Sequence, residues 1–432
     1  MRARAAELGK TLLIWVLLLS LLWLTGLAWV YDDSLLDAPA LAWVSDAKRL
    51  LGFSGTAPDP IAPPDGRVAR EAARPVRVAV MQAGARLGAQ YAPETVNALY
   101  ERLKNIMGEA IGSAAPPRRQ TRAEWERALA YDSVYWEYAA AVPLSVLAEW
   151  LSVAPPAGFD APVRRFFLSN RDGALALFFL NEESLVPYVS DTALTFEPVD
   201  TSGLSPCRFA FEAGGGALAR APDTLMFDAP PVLMAVRCEA PALVPAEAEI
   251  EAFLRGLRVN PDTPAHYTEP DGTAVYMDDP RICRFSPDGV VRYRAHGAAD
   301  GAVSDTPAGR IEAARALLET LAPLLGDARF SLSGCVQEED RFVVDFDYET
   351  QGAAVLPPAG DPAARVVLSG GVISEVTVRV RRFTQTDERV DLMPESLAYR
   401  LFADRIPVRT FALEVCFADG TGLQAPRWYG KN

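Results

Sequence analysis

Histidine is nearly absent from these 432 residues: only His266 and His296 occur. Neither lies in an HExxH pattern, and GxSxG and GxxxxGK[ST] are missing too. The helical zinc-hydrolase signature, the nucleophile elbow and the phosphate-cradling loop therefore have no residues to build them. Gly214, Gly215 and Gly216 sit between apolar runs with no Lys-Ser/Thr partner and read as a loop. Lysine is scarce, with Lys10, Lys48, Lys104 and Lys431 alone, and arginine carries the remaining basic charge. A net charge of −14 argues against nucleic acid as a partner, since such binding depends on clustered Lys and Arg neutralising phosphates. The five cysteines (Cys207, Cys238, Cys283, Cys335, Cys416) form no CxxC, so neither a zinc site nor a redox motif is signalled. Most read as small buried apolar residues. Their odd number leaves at least one thiol free, and a Cys207–Cys238 bridge stays open.

What the chain does contain is one long uncharged run, Thr11 to Tyr31, closed by Lys10 on one side and Asp32-Asp33 on the other. At about 1.5 Å per residue this run spans the roughly 30 Å hydrocarbon core of a bilayer as a helix. Arg2, Arg4 and Lys10 precede it against Glu7, which places the N-terminus in the cytoplasm and everything after Asp32 outside. The run is longer than the apolar part of a signal peptide and ends without an A-x-A site, so it reads as an uncleaved anchor. Ser20, Thr25 and Gly26 are small or hydroxylated, and with Trp15 and Trp23 they form the candidate partner-binding face of this helix.

The expected organisation is a cytoplasmic tail (1–10), a transmembrane helix (11–31), a juxtamembrane helix with a spacer (32–74), and two exported regions (75–244 and 245–432). Four prolines in Gly55–Gly66 give the spacer its extended character, and Ala242–Ala248 marks the boundary between the exported regions. Val76, Val78 and Val80 alternate as in a strand, whereas Val96, Leu99, Tyr100, Leu103, Met107 and Ala110 recur at helical spacing after Pro93. A short helix is expected at Ala123–Ala130, an aromatic strand at Val134–Tyr138, and a helix led by Pro143. Further strands are expected at Val163–Ser169, Ala174–Leu180, Thr192–Glu197, Cys207–Glu212 and Leu233–Glu239. The second region opens with a helix bearing Ile250, Phe253, Leu254 and Leu257. Hairpins follow at Asp271-Gly272 and Asp288-Gly289. The next helix opens after Ser304-Asp305-Thr306 with Pro307 near its first turn, and Pro323 ends or kinks it. Strands Phe342–Tyr348 and Val376–Arg381 alternate apolar with charged residues, as in an antiparallel sheet with one wet face. A helix from Pro394 to Asp404 and the strand FALEVCF complete the chain. The fold class is α+β: antiparallel sheets with helices packed on them.

Chemically reactive constellations are few. Asp345 and Asp347 share one strand face, a spacing of about 7 Å that suits paired carboxylates in glycoside hydrolysis. The same spacing suits a solvated face on which they meet Arg379 and Arg381 across strands. Tyr293 and His296 line a groove or edge a sheet. No cofactor or metal site is indicated.

Four features resemble the YycH/YycI family, the membrane-anchored accessory proteins of the YycG (WalK) sensor histidine kinase of Gram-positive bacteria. They are the single N-terminal anchor with its short tail and the segment SVYWEYAAAVPLSVLAEWL (Ser133–Leu151). The run from HYTEPDGTAVYMDDPRICRFSPDGVVRY through the Ile311 helix to VVDFDYETQG and RVVLSGGVISEVTVRVRRF is the third. The ending FALEVCFADGTGLQAPRWY is the fourth. The length matches a YycH-like member better than YycI. The resemblance implies regulation without catalysis: modulation of a two-component sensor kinase that governs the cell wall, through transmembrane and extracytoplasmic contacts, beside a YycI-like partner protein. Two other classes stay open. One is an exported cell-wall hydrolase built on Asp345 or Asp347. The other is an envelope or sporulation scaffold.

Overall fold

The computed structural model describes residues 74–431, apart from 156–159, 172, 214–222, 242, 244–247, 264, 296–303, 357–360 and 404–411. The expected anchor and spacer, the partner-face residues Trp15, Ser20, Trp23, Thr25 and Gly26, and most of the expected boundary at 242–248 lie outside the described residues. Among the described residues no helix is long and apolar enough to cross a membrane.

The first strand, β1 (Arg77–Gln82), carries the predicted valine alternation and forms a hairpin with β2 (Ala85–Gln90). Next comes α1 (Pro93–Ser113), with proline in its first turn and Val96, Leu99, Leu103 and Met107 buried on one face. After the short β3 (Arg118–Arg119), α2 (Arg122–Leu129) opens on a capping box between Thr121 and Glu124. Strand β4 (Ser133–Pro143) runs into α3 (Leu144–Trp150). A hairpin of β5 (Pro162–Arg171) and β6 (Ala174–Asn181) follows. Gly173 supplies the positive φ (92°) of its turn, and its N–H donates to Asn170 Oδ1 at 3.1 Å. With β7 (Val186–Asp191), β8 (Ser205–Phe209) and β9 (Leu225–Phe227) they form one sheet in the order β3-β7-β6-β5-β4-β1-β2-β8-β9.

The second half begins with β10 (Val232–Glu239) and α4 (Ala248–Gly256), then a meander of β11 (His266–Thr268), β12 (Ala274–Asp278), β13 (Arg281–Phe285) and β14 (Val290–Ala295). Helix α5 (Pro307–Glu319) has Thr306 as its cap and ends before Pro323, which sits in the short α6 (Ala322–Leu325). Five strands follow: β15 (Arg329–Glu338), β16 (Arg341–Thr350), β17 (Ala353–Leu356), β18 (Ala364–Ser369) and β19 (Val372–Arg379). The chain closes with β20 (Arg382–Asp391), α7 (Glu395–Ala403), β21 (Ala412–Ala418), β22 (Gly422–Gln424) and β23 (Arg427–Lys431). The large second sheet runs β11-β12-β13-β14-β19-β18-β16-β17-β21-β23, with β15 on the free side of β16. A small third sheet, β20-β10-β22, pairs the strand that opens this half with two from the chain's end. Among the described strands every pairing is antiparallel except β17 with β21. The architecture is α+β with seven α-helices among the described residues.

The alternation in β4 places Val134, Trp136 and Tyr138 in the main core and Tyr135 in a smaller core on the opposite face, with Trp125, Phe167 and Phe209. The first sheet is therefore covered on both faces. In β16 and β19, Phe342, Val344, Phe346, Tyr348, Val376 and Val378 point into the main core.

The structure departs from the sequence-based expectation at four places. Thr192–Glu197 is not a strand; the strand ends at Asp191, and Leu194, Phe196 and Val199 pack on the core from an irregular segment. A side chain replaces the strand partner there: Gln82 Nε2 donates to the Val199 carbonyl at 2.8 Å and its Oε1 accepts from Val199 N at 3.0 Å. The strand expected at Cys207–Glu212 stops at Phe209, because Glu212 turns back to accept from Phe209 N at 2.8 Å and to pair with Arg86. All five cysteines are free thiols, so the Cys207–Cys238 bridge is not formed. Finally, β18 intervenes between β16 and β19, so Asp345 meets Arg365 rather than Arg379 or Arg381.

Candidate functional site

Two charges stand where an apolar strand has no use for them. Arg77 interrupts the valines of β1 and Glu137 interrupts the aromatics of β4, and each is only 3% exposed. The register sets them directly opposite, with Arg77 Nη1 3.3 Å from Glu137 Oε2. Arg164 of β5 closes the other side, 3.1 Å from Glu137 Oε1, and also pairs with Glu414 of β21. Tyr135 donates its hydroxyl to Glu137 Oε2 at 3.4 Å. Arg77 Nη2 donates to the Tyr91 hydroxyl (3.1 Å) and to the Leu413 carbonyl (3.0 Å), and Val415 N donates to the same phenol oxygen (2.8 Å). This network ties the centre of the first sheet to β21 of the second. Burial raises the pKa of Glu137, but Arg77, Arg164 and Arg165 outweigh it and hold the carboxyl below its ordinary range. Burial drives the Tyr91 phenol well upward, with Arg77 opposing, so it stays neutral.

Tyr91 adopts a positive φ (49°) immediately after β2. Such a conformation is uncommon for a bulky residue and is held by its surroundings. Here Gly352, at the β16–β17 turn, lies against Tyr91 and Pro93; a Cβ on it would fall 3.1 Å from Tyr91 Cα. Beside this contact a cleft of about 170 Å³ opens between β4, α5 and β15, lined among others by Tyr91, Tyr138, Trp150, Arg315 and Arg329. Its walls combine aromatic faces with guanidinium groups already engaged by Glu312 and Glu349.

A second buried acid, Glu395, is the first residue of α7 and has no exposure to solvent. Its Oε2 accepts from Gln90 Nε2 (3.1 Å) and Phe227 N (2.8 Å), joining α7 to β2 and β9. Burial raises this carboxyl to about 7, against the attraction of Arg77. Asp419, after β21, lies 3.5 Å from Arg379 and 3.7 Å from Arg381, so those arginines find their carboxylate here.

The carboxylates singled out from sequence are committed elsewhere. Asp345 receives a two-point bond from Arg365 (2.7 and 2.8 Å), and Asp347 accepts from Ala363 N at 3.4 Å. Tyr293 is buried in β14 and donates to the Leu257 carbonyl at 3.4 Å, while His296 is outside the described residues. Among the described residues no three His, Cys, Asp or Glu side chains gather as a metal-ligand set. The residues that organise the site, Arg77, Glu137, Arg164, Glu395 and Glu414, are ones the sequence reading passed over. Their signal is a lone charge inside an apolar strand or helix start, as in VRVAV and YWEYA, where burial demands a partner.

No family model matches the chain, and no curated protein matches it. Among solved structures, the crystal structure of YycH from Bacillus subtilis is similar, with a TM-score of 0.53 at 9% sequence identity. The match covers 87% of this chain and 99% of that one. At this identity the likeness concerns the fold, and the fold of this chain is YycH-like.

Proposed function

We propose that this chain is a membrane-anchored, non-catalytic regulator of a two-component sensor histidine kinase serving cell-wall homeostasis. The observation that carries this reading is the YycH-like fold, which extends over 87% of the chain rather than one shared motif. The uncharged run Thr11–Tyr31 supports the membrane placement: the N-terminus inside, the folded part outside, and the regions 75–244 and 245–432 as its two parts. Contact with the kinase runs through the anchor face of Trp15, Ser20, Trp23, Thr25 and Gly26 and through the extracytoplasmic surface, where a YycI-like protein is the second partner.

The test is in-cell crosslinking of the full-length protein beside a version whose residues 11–31 are replaced by an unrelated transmembrane helix. Recovery of a sensor kinase with the native helix alone supports the reading. Recovery of no kinase by either version removes it. The hydrolase reading is checked separately with the Asp345→Asn, Asp347→Asn double variant. Detectable cell-wall hydrolysis by the wild type that this variant loses would overturn the non-catalytic assignment.

A further inference from the structure

The Glu395–Gln90 contact is incomplete in a specific way. One bond joins the two side chains, Gln90 Nε2 to Glu395 Oε2 at 3.1 Å, and Phe227 N supplies a second donor to the same oxygen. The remaining oxygen of each group, Glu395 Oε1 and Gln90 Oε1, is buried and has no hydrogen-bond partner. Two bare acceptors on groups already joined by one hydrogen bond can both be satisfied by a single donor shared between them. A single proton on Glu395 Oε1 supplies it, because the carboxyl O–H then donates to Gln90 Oε1. The pair becomes a two-bond acid–amide ring in which both oxygens are satisfied.

We propose that Glu395 and Gln90 form a proton-operated latch, which fastens the start of α7 to β2 when Glu395 is protonated and releases one of its two bonds when Glu395 ionises.

The surroundings set the balance. Arg77 of β1 attracts the ionised form but is already engaged with Glu137, Tyr91 and the Leu413 carbonyl. Glu137 of β4 opposes ionisation, and the neutral Tyr91 after β2 and the neutral thiol of Cys207 on β8 also face the group. Among the other buried acids, Glu137, Asp223 and Asp419 each have two arginines within ion-pair reach (Arg77 with Arg164, Arg122 with Arg165, and Arg379 with Arg381), and Glu312 and Glu349 each pair with one. Glu395 instead takes its bonds from an amide and a main-chain N–H; both favour the ionised form, as does the attraction of Arg77, and burial outweighs them. With burial raising its pKa to about 7, the change falls in the neutral range. The latch bears on a surface as well as on stability, because α7 turns Leu397 (50% exposed) and Leu401 (45%) outward one turn apart.

The experiment is a pH titration of the full-length protein by carbon NMR of its glutamate carboxyl groups, with hydrogen exchange of residues 395–403 followed over the same range. One glutamate carboxyl is expected to titrate with a midpoint within about one unit of 7 and to vanish in Glu395→Gln. Exchange across α7, corrected for its intrinsic pH dependence, is expected to rise several-fold above that midpoint in the wild type and to show no step in Glu395→Gln. Gln90→Leu removes the acceptor for the proton, so Glu395 still titrates while the exchange step becomes smaller than in the wild type. A Glu395 midpoint in the ordinary carboxylate range, or an exchange step in Gln90→Leu as large as that of the wild type, would overturn the latch. The outcome does not depend on whether a sensor kinase is the partner.

Discussion

Arg77 of β1 donates a hydrogen bond to the Leu413 carbonyl of β21 at 3.0 Å, so a side chain links strands 336 positions apart in the chain. The same guanidinium balances Glu137, whose side chain is only 5% exposed. Removing the cation would leave the carboxylate with Arg164 as its nearest remaining positive partner. Breaking one side of such a buried pair costs about 3–5 kcal/mol, whereas replacing both charges by apolar groups of similar size costs far less. Arg77→Met is therefore expected to lower the denaturant midpoint strongly. The Arg77→Met, Glu137→Leu double variant is expected to lose less than the two single changes added together. A double-mutant cycle measured by urea unfolding checks this, and strict additivity would contradict the coupling.

Glu137 and Glu395, both buried, have opposite pH signatures. Burial raises Glu137, but Arg77, Arg164 and Arg165 outweigh it, so its folded pKa lies below the ordinary 4.5. Its contribution to stability is present above pH 4.5 and is lost as the pH falls through the lowered folded value. Glu395 is raised by burial from 4.5 to about 7, so its contribution is complete below pH 4.5 and is lost as the pH rises through 7. The size of that loss is of the order of 3 kcal/mol, at 1.36 kcal/mol per unit. Glu137→Gln should accordingly be less stable than the wild type at pH 7, with the gap narrowing below pH 4.5. Glu395→Gln should be the more stable protein at pH 8, with its advantage fading toward pH 5. Melting temperatures of both variants from pH 3 to 9 test the two signs.

Gly352 is the place where the β16–β17 turn meets the first sheet. It has φ +75°, and a Cβ there would lie 3.1 Å from Tyr91 Cα and 3.3 Å from Pro93 Cδ. Neither neighbour yields cheaply: one atom is main chain and the other belongs to a closed ring. Tyr91 is further held by the bonds that its oxygen accepts from Arg77 and Val415. Gly352→Ala should destabilise by about 1–3 kcal/mol through strain and contact together. Gly370, also at positive φ (57°) but with open space around it, is the control. Gly370→Ala should cost only the left-handed penalty of about 1–2 kcal/mol, and equal losses at both positions would deny the Tyr91 contact.

The legible parts of this fold were those in which one periodicity decides the structure. Pro93 with Val96, Leu99, Leu103 and Met107 could only bury one helical face, and Asp271-Gly272 and Asp288-Gly289 could only turn hairpins. The same holds for Phe342 to Tyr348, where alternation sorts core from wet face. Strands poor in apolar residues were hard to read: β15 and β20 gain their identity from pairing with β16 and β10. Thr192–Glu197 misled because its apolar residues pack from an irregular segment that a glutamine side chain holds. The buried charges were readable as anomalies, since Glu137 stands among Tyr135, Trp136 and Tyr138, but their partners were not. Arg164 and Glu414 are 250 residues apart, and no local pattern announces that they meet.

The proposed anchor, Thr11–Tyr31, offers the most direct test of the proposed regulatory role. Helices in a bilayer gain little from hydrophobicity, because lipid is as apolar as leucine; close approach at small residues and hydrogen bonds from hydroxyls supply the specificity. Gly26→Leu and Ser20→Leu should leave insertion and protein level intact, since both raise the apolar character of the run, while lowering crosslinking to the kinase severalfold. Thr25→Val removes the hydroxyl at almost constant shape, so it separates hydrogen bonding from packing. Trp15→Leu and Trp23→Leu ask whether the same face also needs aromatic surface. Leu18→Ile serves as the control that should change nothing. If Gly26→Leu and Ser20→Leu crosslink as the wild type does, the helix tethers the protein without recognising a partner. The proposed regulation would then have to act through the surface of the folded part, where the exposed Leu397 and Leu401 of α7 are the first positions to substitute.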